Sequence, residues 1–531
     1  MPPRQRSPIQ IDIAGGWATD MGPSFTGAPA GGRLAVPWLV TAENVGWSLD
    51  GWPKKIGGSS RLNATAITEA AVAVTVEGLI DYWKQGTAGS EAQDRVAVAG
   101  TKYLKEDADG TWDDIVTGKE ANKTPCFTIF KDDCVISTTS NVDVPYVWDQ
   151  SAGAILGGTP PNFAFSIEHR SRLQAAGVAT NPSRLYYCEF LDHEDWTGDG
   201  AGSIDVAPDD GDRIIGLASH KGDLLIFKGP HTGSIWRLTG SSPSGDDPFV
   251  LHPFVKGVGA VAHNAIVRAG TASTGEDLVF VSPIGIHSLN ATANYGDFTE
   301  SFLSRPIQTW FDRQINHQIL PTTWGVNDRQ RGRVLWTVAP SGGTAKTEIL
   351  MLDYRFSPFR WSRWVNYVAA HSLALLEVTG ESRVFAGMTT GYVQQLDVAG
   401  TLSLPGPLAY TAQAATPALS FGSFASLKSI EKGYLLLKPK GDYTLDFLVK
   451  RDAETTVTTT VSQAGSGGVL GSFVLGTDTL GSTGHRIQPF DVDGTFREVE
   501  LAFRQNVSNQ DMEPHGLEVH VQPAGTSEEV Y

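Results

Sequence analysis

Apolar runs of five or six residues, cut by glycine and proline, recur along most of this chain, and residues 214–240 show the pattern most clearly. Residues 214–219 form one run. A turn at His220-Lys221-Gly222 leads to 223–228, where Leu224, Leu225, Ile226 and Phe227 stand in a row. A second turn, Gly229-Pro230-His231-Thr232-Gly233, leads to 234–238. Runs of this length, rich in Ile, Leu, Phe and Trp and bounded by Gly and Pro, predict a strand meander. Helical spacing is absent, and two glycine turns so close together would break a helix. A three-stranded unit leaves two faces and two edges uncovered. Variants of it recur, which predicts copies packed face to face around an axis: a β-propeller or a close relative.

The middle strands of the units begin near residues 95, 134, 172, 223, 277, 333 and 383. Spacings of about 40–55 residues are those of four-stranded blades, so about seven blades are expected, with six to eight allowed. The chain divides into an N-terminal arm, 1–66, with strands for closure or docking; a propeller, 67–400; and an antiparallel β-sandwich-like domain, 401–531, in which Tyr443-Thr444-Leu445-Asp446-Phe447 alternates. The fold class is therefore all-β. Two segments carry helical character: 65–75, which is alanine-rich, and 298–318, where Phe302, Ile307, Trp310, Phe311 and Ile315 fall near helical spacing after Pro306.

Composition sharpens this. The 58 glycines and 29 prolines among 531 residues suit many short strands joined by tight turns. With 41 bases against 58 acids the formal net charge is −17. That balance disfavours tight nucleic-acid binding and anionic membrane surfaces. Cys126, Cys134 and Cys188 lack metal-ligand spacing and read as buried thiols of a protein made in a reducing cytoplasm. The N-terminus has no apolar secretory core, and no run of 18 apolar residues spans a membrane.

Candidate chemistry is sparse. Asp107-Ala108-Asp109-Gly110, Asp209-Asp210-Gly211-Asp212 and Asp491-Val492-Asp493-Gly494 lack the remaining ligands of a calcium loop and read as Asx turns. Asp109-Gly110-Thr111-Trp112 resembles the tail of a sialidase-type Asp box without its Ser and glycine spacing; a hairpin before a core Trp is the simpler account. His193-Glu194-Asp195-Trp196 reads as a solvated loop, because strand neighbours face apart. His231 and His287 have no evident acid or nucleophile partner, and no GxSxG, HExxH or P-loop pattern occurs. No catalytic, cofactor-binding or metal-binding residue is assigned, and no cofactor is expected.

Several stretches resemble the β-propeller tail nozzle (tail hub, or stabilisation protein) of short-tailed bacteriophages. These are Ala42-Glu43-Asn44-Val45 with Gly51-Trp52-Pro53-Lys54-Lys55-Ile56-Gly57; Asn181-Pro182-Ser183-Arg184-Leu185-Tyr186-Tyr187-Cys188 with Trp196; Gly222-Asp223-Leu224-Leu225-Ile226-Phe227 with Ile235-Trp236; Ser282-Pro283-Ile284-Gly285-Ile286; and Gly391-Tyr392-Val393-Gln394-Gln395-Leu396-Asp397. The usual dibasic-Arg-Pro-Gly opening is replaced here by Pro-Lys-Lys-Ile-Gly. The resemblance covers about residues 35–450. It implies a structural virion protein with no enzymatic activity, assembled in the host cytoplasm into a homo-oligomeric ring, a hexamer being favoured. The ring would meet a tail adaptor ring and fibre or needle proteins, and DNA would pass it transiently without sequence-specific binding or membrane insertion. An acidic lumen would repel phosphate; Asp209, Asp210, Asp212, Asp246 and Asp247 are its candidate lumen or rim acids, a solvated acidic loop being the stronger account of each. The alternatives are a host-glycan-binding or depolymerising propeller, with two carboxylates about 5–10 Å apart at one mouth, or another virion part such as a head-decoration or fibre-attachment protein.

Overall fold

A computed structural model of the chain describes residues 8–85, 91–107, 110–270, 276–290, 302–438, 443–454, 456–462 and 486–524. The meander at 214–240 forms as the pattern predicts, with strands Arg213–His220, Asp223–Gly229 and Ser234–Thr239, and gains a fourth, Val250–Lys256. Its fourth strand carries few buried positions, which is why hydrophobic patterning did not reveal it.

Seven such sheets follow one another around an axis. Blades one to four are four-stranded antiparallel sheets. Blade five has three strands among the described residues, Ile266–Ala269, Asp277–Ser282 and Gly285–Ser288. Blade six is Gly325–Asp328, Arg333–Val338, Glu348–Asp353 and Arg360–Val365. Blade seven takes its three inner strands from Ala370–Val378, Glu381–Met388 and Val393–Val398 and its outer strand from the N-terminal arm, Gly58–Arg61. The circle closes where blade seven meets blade one: Ser372 Oγ donates to Val76 O (3.0 Å), Glu377 N–H to Asp81 Oδ2 (2.6 Å) and Arg95 Nη2 to Glu377 O (2.7 Å). The fold is a seven-bladed β-propeller.

The hairpin between the first two strands of a blade is built alike in blades two, three, four and seven. Lys131-Asp132, Arg170-Ser171, Lys221-Gly222 and Thr379-Gly380 all have positive φ at both positions. That geometry matches the right-handed twist of the flanking strands. In blades two to four the first turn residue is basic and reaches the next blade: Lys131 Nζ donates to Leu191 O, Arg170 to Gly222 O (3.0 and 3.1 Å) and Lys221 Nζ to Asn290 Oδ1 (3.1 Å).

The C-terminal strands form two sheets with help from the arm. One runs Arg33–Val36, Ile9–Ile13, Pro514–Pro523, Lys428–Leu437, Arg486–Phe496. The other contains Ala412–Ala415, Val499–Gln505 and Thr444–Arg451, and it continues through the arm strand Thr41–Glu43 into blade six. The C-terminal strands pair with one another antiparallel, but the arm strands Ile9–Ile13 with Arg33–Val36, and Ser24–Phe25 with Ala418–Leu419, add parallel pairs. Phe447 lies between Phe490 and Phe503, ring centroids 4.2 and 5.6 Å away, and one apolar cluster runs from these residues through Trp364, Trp361 and Trp336 of blade six. Burial of this continuous core joins propeller and sandwich.

Two helical expectations resolve differently. Residues 308–314 are helical after a 3₁₀ turn holding Pro306, and bury Trp310 and Phe311; 298–301 lie outside the described residues. The alanine-rich stretch 65–75 is instead a small hairpin, Thr68–Glu69 with Val72–Ala73, turning through Ala70 and Ala71 at φ 46° and 64°. Alanine's helix propensity yields there to the packing of 67 and 74 against blades one and seven.

Candidate functional site

The motif residues of the arm converge on one junction. Asn44 is buried at φ 51°; its Nδ2 donates to Val365 O and Thr411 O (2.7 Å each), and its Oδ1 accepts Val365 N–H (2.9 Å). One side chain thus fastens blade six to the sandwich. Lys55 is 1% exposed. Its Nζ donates to Gln510 O (2.9 Å) and lies 4.4 Å from the Tyr410 ring centre. Burial pushes this amine down to about 8 against the opposing pull of Asp511. Gly57 N–H donates to the Asp397 carboxylate, the end of the exit motif. Asp397 also meets Arg333 (2.8 Å) and Arg331 (3.6 Å), and Arg333 meets Asp328 (2.9 Å). Burial pushes the Asp397 carboxyl up, but the two guanidinium groups and the Gly57 amide outweigh it and hold it below its usual value. Tyr367 Oη accepts Asp397 N–H (2.9 Å) and faces the carbonyls of Gly57 and Gly58 (2.8 Å each).

The five acids named from sequence divide between two faces. In a meander, blade-to-blade connections lie on the same face as turns between second and third strands. Asp209, Asp210 and Asp212 occupy the connection from blade three to four. Asp212 is 4% exposed, and its carboxylate accepts the N–H groups of His231 (2.7 Å), Thr232 (3.1 Å) and Gly233 (2.8 Å). Its carboxylate is spent inside the fold. Asp210 accepts from the fully buried Lys228 Nζ (2.6 Å), which also donates to Val206 O and Ala207 O (2.7 Å each). Asp209 is exposed. Asp246 and Asp247 lie on the opposite face, in the turn to the fourth strand; Asp247 pairs with Arg170 (3.2 Å). Within this chain these acids form no common rim. Sequence reasoning missed Lys228, although a lysine closing the run Leu224–Phe227 had to find buried acceptors.

The axial channel, about 1030 Å³, is lined by inner-strand side chains including Ile80, Ile129, Ile167, Ile266 and Leu375. Among the described residues lining it, Glu168 is the one acid, and Arg268 and Arg329 line it as well. At the face of the blade connections lies a second cavity of about 550 Å³ between blades two to six. His263 borders both. Its Nδ1 accepts Leu217 N–H (3.2 Å), so the proton of the neutral ring sits on Nε2, and the ring stacks on Phe165 at 5.0 Å. Burial pushes His263 down to about 4. Beside the cavity, Lys346 donates to Thr322 O (2.6 Å), and burial lowers it to about 7.

The remaining sequence candidates are structural. Asp107 turns a hairpin, with Gly110 N–H donating to its carbonyl (3.0 Å); Ala108 and Asp109 lie outside the described residues. Asp491 to Gly494 are not a turn: they lie within the long strand Arg486–Phe496, whose register with Lys428–Leu437 shifts around Ile430. The loop at 193–196 is solvated at Glu194 but packed at its two ends; His193 is 8% exposed, 3.7 Å from Asp133, and its carbonyl accepts Trp196 Nε1–H (2.8 Å). His231 lends its N–H to Asp212, and His287 is buried with Nε2 2.8 Å from Ser282 Oγ. The three cysteines are buried free thiols. Among the described residues no group of three His, Cys, Asp or Glu is placed to hold a metal ion, and no helix is long and apolar enough to cross a membrane.

No family model matches the chain, and no curated protein matches it. Solved structures with related sheet arrangements include YCF48 bound to D1 peptide (11% identity, TM-score 0.36, covering 66% of this chain and 97% of that one) and the Myceliophteria thermophila Cps50 (Swd1) β-propeller domain (10%, 0.39, 65% and 100%). An ancestral GH74 enzyme superposes at 9% identity and TM-score 0.38 over 68% of this chain, which spans about half, 51%, of that enzyme. Likeness at this level carries no functional argument, and the blade count rests on the sheets themselves.

Proposed function

We propose that this protein is a structural component of a short-tailed phage virion, a nozzle or hub subunit that assembles into a ring, a hexamer being favoured. The observation that carries the reading is the junction at Asn44, Lys55 and Asp397: two of the five stretches that resemble the nozzle family, 42–57 and 391–397, weld blade six, blade seven and the sandwich into one body. A ring that retains a packaged genome needs wedge-shaped subunits that do not flex internally. In this reading DNA passes between subunits and not along the axial channel of a propeller, which holds only about 1030 Å³. The net charge of −17 keeps the ring from gripping phosphate during ejection. The ring contacts are head-to-tail, and adaptor and fibre proteins dock on its two ends.

Negative-stain microscopy and sedimentation of the purified chain at virion-like concentration test this. Closed rings are expected. A strict monomer that is not recruited by tail adaptor rings would overturn the proposal.

A further inference from the structure

The cavity at the face of the blade connections has a composition at odds with its chain. In a protein with 58 acids against 41 bases, no carboxylate occurs among the described residues lining these 550 Å³. The lining holds one formal charge, Arg213, with the neutral polar groups of Asn122, Thr124, Asn141, His263 and Asn264. Arg213 is exposed and makes no ion pair among the described residues. The acid beside it in sequence is unavailable, since Asp212 is buried with its carboxylate on three backbone amides of the turn 231–233. The arginine is thereby left facing the cavity without a partner.

We infer that this cavity binds a small organic carboxylate, with the Arg213 guanidinium forking the acid group. A guanidinium matches the two oxygens of a carboxylate with parallel N–H donors. One fixed positive charge suits a monoanion better than a phosphate dianion. His263 offers its Nε2–H, because Nδ1 is committed to Leu217 N–H. Asn264 spends its Nδ2 on Pro125 O (3.1 Å), which leaves its Oδ1 to accept from a ligand hydroxyl or amide. Apolar wall comes from Val178, Ile215 and Val261. A volume of 550 Å³ suits a ligand of the size of one sugar or one amino acid. The carboxylate can belong to an acidic sugar or to an acidic side chain of a docking protein; the recognition chemistry is shared.

Saturation-transfer NMR on the intact chain separates the sources, with glucuronate, N-acetylglutamate, glucose and inorganic phosphate as probes. Millimolar binding of at least one carboxylate is expected, about tenfold weaker in Arg213→Gln and partly recovered in Arg213→Lys. Transfer to glucuronate alone assigns the site to an acidic sugar, and to N-acetylglutamate alone to a protein side chain; transfer to both supports the shared chemistry. Arg213 is solvent-exposed, so the variants keep the parent thermal midpoint, which is checked in parallel. The inference is overturned if neither carboxylate binds, if phosphate or glucose binds as well as they do, or if Arg213→Gln changes nothing. A ring that binds no carboxylate sinks this inference alone, and a monomer that binds one sinks only the assembly reading.

Discussion

Asp397→Asn tests whether charge holds the propeller shut. The substitution keeps the side chain's size, and asparagine tolerates the left-handed backbone at φ 51°. It removes the negative charge that Arg333 (2.8 Å) and Arg331 (3.6 Å) share, leaving both guanidinium groups to Asp328. Removing one partner from a buried pair costs about 3–5 kcal/mol. Asparagine Oδ1 still accepts Gly57 N–H, which places the expected loss near the lower end, about 3 kcal/mol. The outer strand Gly58–Arg61 pairs with one strand, Val393–Val398, and on its other side has only the hydrogen bonds of Gly58 N–H to Thr401 O (2.6 Å) and Ser59 N–H to Ser403 O (3.2 Å), so the loss is felt there first. Native-state hydrogen exchange reads it directly: amides of Gly58–Arg61 that open sub-globally are expected to exchange about a hundredfold faster, with Asp223–Gly229 of blade four unchanged. The carboxyl's folded value lies below its unfolded one, so its stabilisation is fully present above about pH 4 and is lost as pH falls through the folded value. The difference between parent and variant is therefore constant from about pH 7 to 5 and shrinks only below about 4. Unchanged exchange at Gly58–Arg61, or a difference that already fades near neutral pH, would refute the electrostatic latch.

Lys228→Met removes the donor to Val206 O, Ala207 O and Asp210, and is expected to cost about 3–5 kcal/mol in urea unfolding, with part recovered when Asp210→Asn is added. Asn44→Ala strands two carbonyls and one N–H at the propeller–sandwich joint; at about 1 kcal/mol each the loss is about 3 kcal/mol, and separate unfolding transitions for the two parts are expected in calorimetry. Burial pushes His169, His263 and His287 down to about 4, with Arg170 also lowering and Asp223 opposing at His169. The unfolded chain then binds more protons between the two values, so stability falls as pH drops from about 6.5 to about 4, by on the order of 2–3 kcal/mol per histidine; denaturant midpoints against pH check this, and a flat profile contradicts it.

What the sequence made legible was local. The blades show because an apolar run, a two-residue turn and another apolar run sit within about 15 residues, as at 214–228. The destination of the arm was not legible. Gly58–Arg61 and Thr41–Glu43 are three or four residues long, and their partners, Val393–Val398 and Arg360–Val365, lie more than 300 residues away, as Asn44 with Val365 at a separation of 321 shows. A pairing that short has no period to read. The burial of Asp212 was hidden for a related reason: its partners are backbone amides across a loop, and amides leave no mark in sequence. Ala70 and Ala71 were drawn toward helix by composition, whereas two positive φ angles carry them through a turn that composition does not encode. Arg213 shows the same limit from the other side, since its value lies in a neighbour that turns away.

The outer strand of blade seven also sets a timetable for synthesis. Ser59 must wait for Gln394, 335 residues later, before its hydroxyl finds an acceptor. At about 5–20 residues per second that delay is on the order of 20–70 s. Six blades can stack on the ribosome in that interval while the strand Gly58–Arg61 still lacks its partner. A chaperone or a neighbouring nascent chain therefore meets this arm before the arm meets its own blade, which makes it the segment through which two copies would most readily exchange strands.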